Sequence, residues 1–249
     1  MRSRSYTLVV ALVAGLAAAA AGVVYAHAAP GAAAAGKVVA KYSFDGTPLA
    51  AVADESGEGH NLTVVASHGG ALRLINHGAG RALAFPAPCR GRGTRKCAHV
   101  ALRTVSSADL NPGTANLSYG ASLILTATRT SKGQNVVQKG YSATSSQYKL
   151  QVDGRAGRPS CAVVDNRRPA IQLVRSSVSI ADGSWHVVEC ERLGTVLRIV
   201  VDGVTRGVRL IPLTLSISNN EPLAIGGKGA YRDNDQFQGA LDDVWVRIG

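Results

Sequence analysis

From residue 37 to its last residue the chain is a series of short runs in which apolar and polar positions alternate. Gly, Asp, Asn and Pro separate the runs, and period-two alternation bounded by turn residues predicts strands. The runs fall at 37–44, 61–66, 71–75, 81–85, 99–103, 117–129, 135–140, 147–153, 160–165, 170–174, 185–192, 195–203, 222–227 and 240–248. One helical turn is expected in "TVSSADLNPG" (104–113). Many strands at even spacing with no long helix predict an all-β fold, a sandwich or barrel.

Alternation also assigns faces. In "TVLRIVVDG", Val196, Arg198 and Val200 share one side, and Leu197, Ile199 and Val201 the other. Both sides are largely apolar, as in a central strand. In "WHVVECER", Trp185, Val187, Glu189 and Glu191 lie on one side. His186, Val188 and Cys190 lie on the other, which reads as the core side. The last run, "ALDDVWVRI", is interrupted by Asp242 and Asp243. Burying a carboxylate without a partner is costly, so this pair demands an explanation.

The first 28 residues follow a different pattern. Arg2 and Arg4 precede an 18-residue apolar run, and "AHA" at 26–28 fits a small-x-small cleavage pattern. This predicts a signal peptide (1–28) cleaved near Ala28, a small-residue linker (29–36) and one domain (37–249) in a secreted chain. No stable membrane span is expected after cleavage. An uncleaved anchor is the competing reading. The Ala-rich start also inflates the 46% hydrophobic content.

Export suits the four cysteines, Cys89, Cys97, Cys161 and Cys190, an even count that points to two disulfides. Three pairings are possible, and Cys89–Cys97 with Cys161–Cys190 is the economical one. No CxxC and no His pair at ligand spacing supports zinc. The formal net charge of +11 favours an anionic partner. The loop "CRGRGTRKC" offers Arg92 and Arg95, and "NRR" (166–168) adds two more arginines. Nucleic acid is not expected, because no aromatic residues interleave with these cations to stack bases.

The order "YSFDG", "DESGEGHNLTV", "VVQKG", "YKLQVDG", "ADGSWHVVECER", "LRIVVDG", "PLAIGGK", "FQGALDDVWV" resembles the laminin-G-like, concanavalin A-like lectin/glucanase jelly-roll family, over nearly all of 37–248. The resemblance implies a sandwich of two antiparallel sheets and a binding module for glycans or proteins, often with one calcium ion. Calcium wants six to eight hard oxygens. Asp45, Asp54 and Asn61 could supply some, and one of Asp242 and Asp243 could supply another, since neighbours on a strand face opposite ways. The family pattern favours Asp242. A metal-free alternative stays open, with Asp54 closing an Asx-turn and Asp242 accepting backbone N–H groups. By the same resemblance Trp185 and Trp245 fall at core positions, and His186 is a structural histidine.

No catalytic residues are assigned. The three-carboxylate strand of the glucanases is absent, and no G-x-S-x-G occurs. Glu189 and Glu191 are the best remaining carboxylate pair, beside Arg192 at a charged strand end. Sugar binding would need exposed aromatic faces, for which Tyr119, Tyr141, Tyr148 and Tyr231 are free. The loop "GKGAYRDNDQF" (227–237) is the most ligand-like, with Tyr231, Arg232 and Asn234. The expected function is a non-catalytic carbohydrate-binding module with a structural calcium. An adhesion module for a cell-surface protein is the alternative, and a polysaccharide hydrolase or lyase comes third.

Overall fold

The computed structural model describes residues 36–46, 51–89, 97–165 and 167–249. The expected signal segment, all of the linker but Gly36, and the basic-loop residues Arg92 and Arg95 lie outside the described residues. Contacts divide the chain into Met1–Gly31 and Ala32–Gly249, and every described residue belongs to the second unit.

Among the described residues, sixteen strands form two antiparallel sheets. The terminal sheet holds both ends of the domain: β1 (Lys37–Tyr42), β4 (Arg73–His77), β5 (Gly80–Ala84), β7 (Leu117–Thr126), β12 (Asp182–Leu193), β13 (Val196–Val201), β14 (Val204–Leu210) and β16 (Ala240–Ile248). Its order is β14-β13-β12-β7-β16-β5-β4, with β1 also paired to β16. The opposite sheet holds β2 (Ala51–Val52), β3 (Leu62–Ser67), β6 (His99–Arg103), β8 (Gly133–Gly140), β9 (Gln147–Asp153), β10 (Arg158–Asp165), β11 (Arg168–Arg175) and β15 (Leu223–Ile225). Its order is β11-β10-β9-β8-β15-β6-β3-β2. This is the all-β class the alternation predicts, in the two-sheet jelly-roll-like sandwich that the family resemblance implies.

The core lies between the inner faces. On β7 it takes Leu117, Tyr119, Ala121, Leu123 and Leu125; on β9 and β10 it takes Tyr148, Leu150, Val152, Cys161 and Val163. Strict alternation delivers these side chains to one side. The Tyr119 and Tyr148 rings meet across the core at 5.1 Å, so neither tyrosine is free for a ligand. Cys161 and Cys190 form a disulfide that ties β10 to β12 across the two sheets, and Cys89 is bonded to Cys97. Closing the 29-residue loop between Cys161 and Cys190 removes unfolded-state freedom of about 3–4 kcal/mol.

Three sequence expectations need correction. Residues 104–113 form turns rather than a helical turn, with Leu110 buried and Gly113 bridged to Ile217. Strand β14 was not foreseen, because an edge strand with Val208 and Leu210 exposed shows no clean alternation. Trp185 and Trp245 are half-buried on the outer face of the terminal sheet rather than in the core. The reason is register: Cys190 and Val188 take the inner face of β12, which sends Trp185 outward. His186 is a satisfied structural histidine, held by Asp202 (2.7 Å) and Asp182 (3.1 Å).

Candidate functional site

The two aspartates of the last strand sit where β16 changes neighbours. Ala240 and Leu241 pair with β5, whereas Val244 to Ile248 pair with β1. Between them the register against β7 shifts, and Asp243 adopts φ 45°. A bulge re-aims side chains locally. Asp242 is buried, and Asp243 is exposed. One oxygen of Asp242 accepts the Asp243 N–H (2.7 Å), and the other lies 2.6 Å from His77 Nδ1. The His77 ring stacks on Trp185 at 3.8 Å. Asp45 accepts the Arg81 N–H at 2.7 Å, which pins the end of β1 to the β4–β5 hairpin.

Asp54 and Asn61 belong to a separate device. Asp54 accepts N–H groups from Lys41 (3.0 Å), Ser56 (2.9 Å) and His60 (2.9 Å), and the Ser56 hydroxyl (2.8 Å). Burial alone would raise its carboxyl, but these donors hold it below the ordinary value. Asn61 Oδ1 in turn accepts the Asp54 N–H (2.9 Å). The four expected calcium ligands therefore form two clusters rather than one. Each of the four accepts at least one hydrogen bond from the protein, and among the described residues no three His, Cys, Asp or Glu side chains group as a metal site. The donor set does not fit a calcium cage of the expected composition. His77 stands against Asp242 where a cation was expected.

Glu189 and Glu191 share the outer face of the terminal sheet. Burial, then the neighbouring Glu191, pushes the Glu189 carboxyl up to about 7. Glu191, its neighbour on that face, is paired with Arg198.

A different arrangement occupies the outer face of the opposite sheet. Along β9, Gln147, Lys149, Gln151 and Asp153 alternate with the core residues. Gln147 stands beside Gly140 of β8, and Lys149 beside Gln138. Gly140 is required at the strand end: its φ is +81°, and a Cβ there would lie 1.9 Å from the Ser146 carbonyl oxygen. The following turn, closed by Ser145 N–H to Tyr141 O (2.8 Å), presents Tyr141. The 227–237 loop arrives from the other side. Asp235 O accepts the Asn135 N–H (2.8 Å), and Asn234 O accepts the Lys228 N–H (2.8 Å). Asn234 was expected to face a ligand, but its side chain is buried. It donates to Gly229 O (2.7 Å) and contacts His99 (3.1 Å), so it shapes the loop instead.

Tyr231 at the loop tip and Tyr141 thereby meet over a pocket of about 270 Å³ that Gln138, Gln147, Lys149 and Arg232 also line. Burial, then Tyr231 beside it, pushes the Tyr141 hydroxyl up to about 12. The Tyr141 phenol is thus a neutral donor and acceptor near neutral pH. Burial lowers the Lys149 ammonium, while Asp235 opposes that shift. The pocket offers aromatic faces, amides and a cation, the mixture that orients a polar ligand. Of the residues singled out in the sequence, Tyr141, Tyr231 and Arg232 are brought together here. The glutamines and Lys149 were legible as the polar half of "QYKLQVD", but no sequence signal tied that strand to the 227–237 loop.

A larger cavity, about 630 Å³, lies beside Asp165, Arg167 and Thr214. Its polar groups are engaged with one another: Asp165 takes Arg167 (2.7 Å) and the Ser216 N–H (2.9 Å), and Arg167 also bonds Thr214 O.

A family model described as the concanavalin A-like lectin/glucanases superfamily matches residues 99–247. A comparison with curated protein sequences finds no match. Among solved structures, domain 4 of AbnA, an extracellular arabinanase from Geobacillus stearothermophilus in complex with arabinotriose, aligns with TM-score 0.61 at 16% identity. That alignment covers 86% of this chain and 93% of that one. The binding domain of Paraclostridial Mosquitocidal Protein 1 aligns with TM-score 0.63 at 13% identity, over 85% of this chain and 48% of that one. The binding domain of Botulinum Neurotoxin DC in complex with SialylT gives 0.57 at 10%, over 85% and 48%. The chain thus spans about half the length of the toxin domains. These likenesses establish the shared fold.

Proposed function

The chain belongs to the concanavalin A-like lectin/glucanase superfamily, and within it we propose an exported, non-catalytic module that binds carbohydrate. The tyrosine pocket carries this reading. Tyr141 and Tyr231 supply ring faces and hydroxyls and Lys149 a cation, while Gln138 and Gln147, whose amides bond Gly140 O, complete the polar wall. A volume of about 270 Å³ sits near the lower end of small-ligand pockets and suits one sugar ring of a longer chain. Arabinotriose on the arabinanase domain supports the class of ligand. The proposal includes cleavage near Ala28, the linker 29–36 and a binding domain at 37–249. Calcium has no part in ligand capture in this reading, because Asp45, Asp54, Asn61 and Asp242 already serve protein donors.

One observation favours a second reading, the adhesion module for a cell-surface protein. Val208, Leu210 and Leu213 are exposed at and just beyond edge strand β14, and exposed apolar groups at a sheet edge suit a protein partner. A glycan array probed with the exported chain, in calcium and again in EDTA, separates the two. Selective binding to one sugar class, lost in Tyr141→Ala and unchanged by EDTA, is expected. An array blank for neutral, sulfated and uronic-acid polymers alike would sink the carbohydrate reading.

A further inference from the structure

The outer face of the opposite sheet does not end at the tyrosine pocket. Gln147 and Lys149 line that pocket, Gln151 follows, and Asp153 at the far end of β9 lines a second one of about 310 Å³. Six residue steps along a strand span about 20 Å. The second pocket is bounded by Lys132, Arg155, Arg158 and Arg175, against the single carboxylate of Asp153. That carboxylate is tied down by Gln151 (2.7 Å) and the Ser160 hydroxyl, with Arg175 at 3.8 Å. The four cations thus face a cavity with one acid, itself already engaged.

The backbone that carries these cations is pinned. Gly154 N–H donates to Lys132 O (3.1 Å), so the β9–β10 turn is bonded to the segment that leads into β8. Gly157 N–H donates to Gly154 O (3.1 Å), and Gly157 O accepts the Ile180 N–H (3.0 Å). Gly157 has φ +60°, and a Cβ there would lie 2.3 Å from Ala181 Cβ, so only glycine fits. Ser176 N–H to Pro159 O (2.8 Å) fixes the chain next to Arg175. Arginines on a fixed frame can take an oxyanion bidentately at reduced entropic cost.

We propose that the Lys132–Arg155–Arg158–Arg175 pocket is an anion subsite, and that the module binds an acidic polysaccharide laid along β9. A sugar ring sits at Tyr141 and Tyr231, and a carboxylate or sulfate of the same chain sits among the four cations. This rests on the carbohydrate reading of the tyrosine pocket and names its substrate class. Strand β9 supplies the track between the two subsites.

The test is calorimetric titration of the exported chain with three oligosaccharides that share one backbone, one neutral, one uronate-bearing and one sulfated, at low and high salt. Arg155→Gln/Arg158→Gln should weaken binding of an acidic oligomer roughly tenfold, flatten its salt dependence and leave the neutral oligomer unchanged. Lys132→Gln/Arg175→Gln should do the same, and Tyr231→Ala should weaken neutral and acidic oligomers together. The preferred acidic oligomer identifies the oxyanion as carboxylate or sulfate. All five side-chain changes are at exposed positions, and thermal melts verify folding. Acidic oligomers bound equally by wild type and both charge variants would overturn the anion subsite while the tyrosine reading stands. Equal losses on the neutral oligomer would overturn it as well. If no oligomer binds, while anionic phospholipid vesicles do, both readings fall.

Discussion

The two outer faces of this sandwich are built from the same alternation, yet they use their polar groups in opposite ways. On the terminal sheet, Arg198, Glu191, Ser118 and Arg247 stand side by side across four strands. Glu189, Gly120 and Trp245 form the next row. Several groups on this face pair with one another: Glu191 with Arg198, Arg247 over the Trp245 ring at 5.7 Å, Asp242 with His77, and His77 on Trp185. Gly120 has no side chain because the Trp245 ring and the Val188 carbonyl crowd that position. On the opposite sheet, two loops rise beside the strands and leave pockets between them. Polar residues pair with one another on this sheet too; what sets it apart is the loops that wall its pockets.

The largest test of this contrast is Asp242→Ala. It removes the acceptor for the Asp243 N–H and leaves His77 without its partner. A loss of about 2–3 kcal/mol is expected in urea unfolding, with ligand affinity unchanged. A loss under about 0.5 kcal/mol would show that the corner is not a structural clamp. The reciprocal test is Tyr231→Ala, on a side chain 46% exposed. Affinity for the best glycan should fall about tenfold while stability stays within about 0.5 kcal/mol. A stability loss without an affinity loss would reverse the assignment of the two faces.

Glu189 gives a pH signature to the terminal face. Its folded carboxyl lies near 7, above its unfolded value of 4.5. The unfolded chain therefore releases this proton first, and stability falls as pH rises from about 4.5 to about 7. Solvent screening and the shared Glu191 charge reduce the effect, so Glu189→Gln should stabilise by about 1 kcal/mol at pH 8 and by nothing measurable at pH 4. Parallel melting curves for both proteins across that range would contradict the shift. The smallest expected effect is that of EDTA, a melting-temperature change under about 1 °C, since a ligand that is not bound adds no linkage stabilisation. A drop of several degrees, restored by added calcium, would show that the aspartates take a metal despite their protein donors.

Strands of both sheets were legible in the chain. The run 240–248 is strand β16 to the residue, and the run 147–153 is β9 to the residue. The economical pairing of the cysteines is the one the structure contains. These follow from local pattern, because a strand with one buried face must alternate. The surroundings of the expected calcium ligands are set by contacts outside their own motifs. Sequence spacing gave no sign that His77, 165 positions earlier, would reach Asp242, or that both oxygens of Asp54 would be used by its own loop. Asn234 looked like any exposed polar loop residue until its amide was found beneath the loop it holds.

The sequence by itself determined the all-β class, the faces of most strands and the tyrosines and arginines worth testing, because side-chain period and turn chemistry are properties of neighbouring residues. Only the tertiary structure decided which polar groups cancel and which remain open. That depends on strand order and on where β16 exchanges β5 for β1, contacts between residues far apart in the chain. Tyr119, Tyr141, Tyr148 and Tyr231 are alike in sequence; packing buries two of them between the sheets and brings the other two together over a pocket.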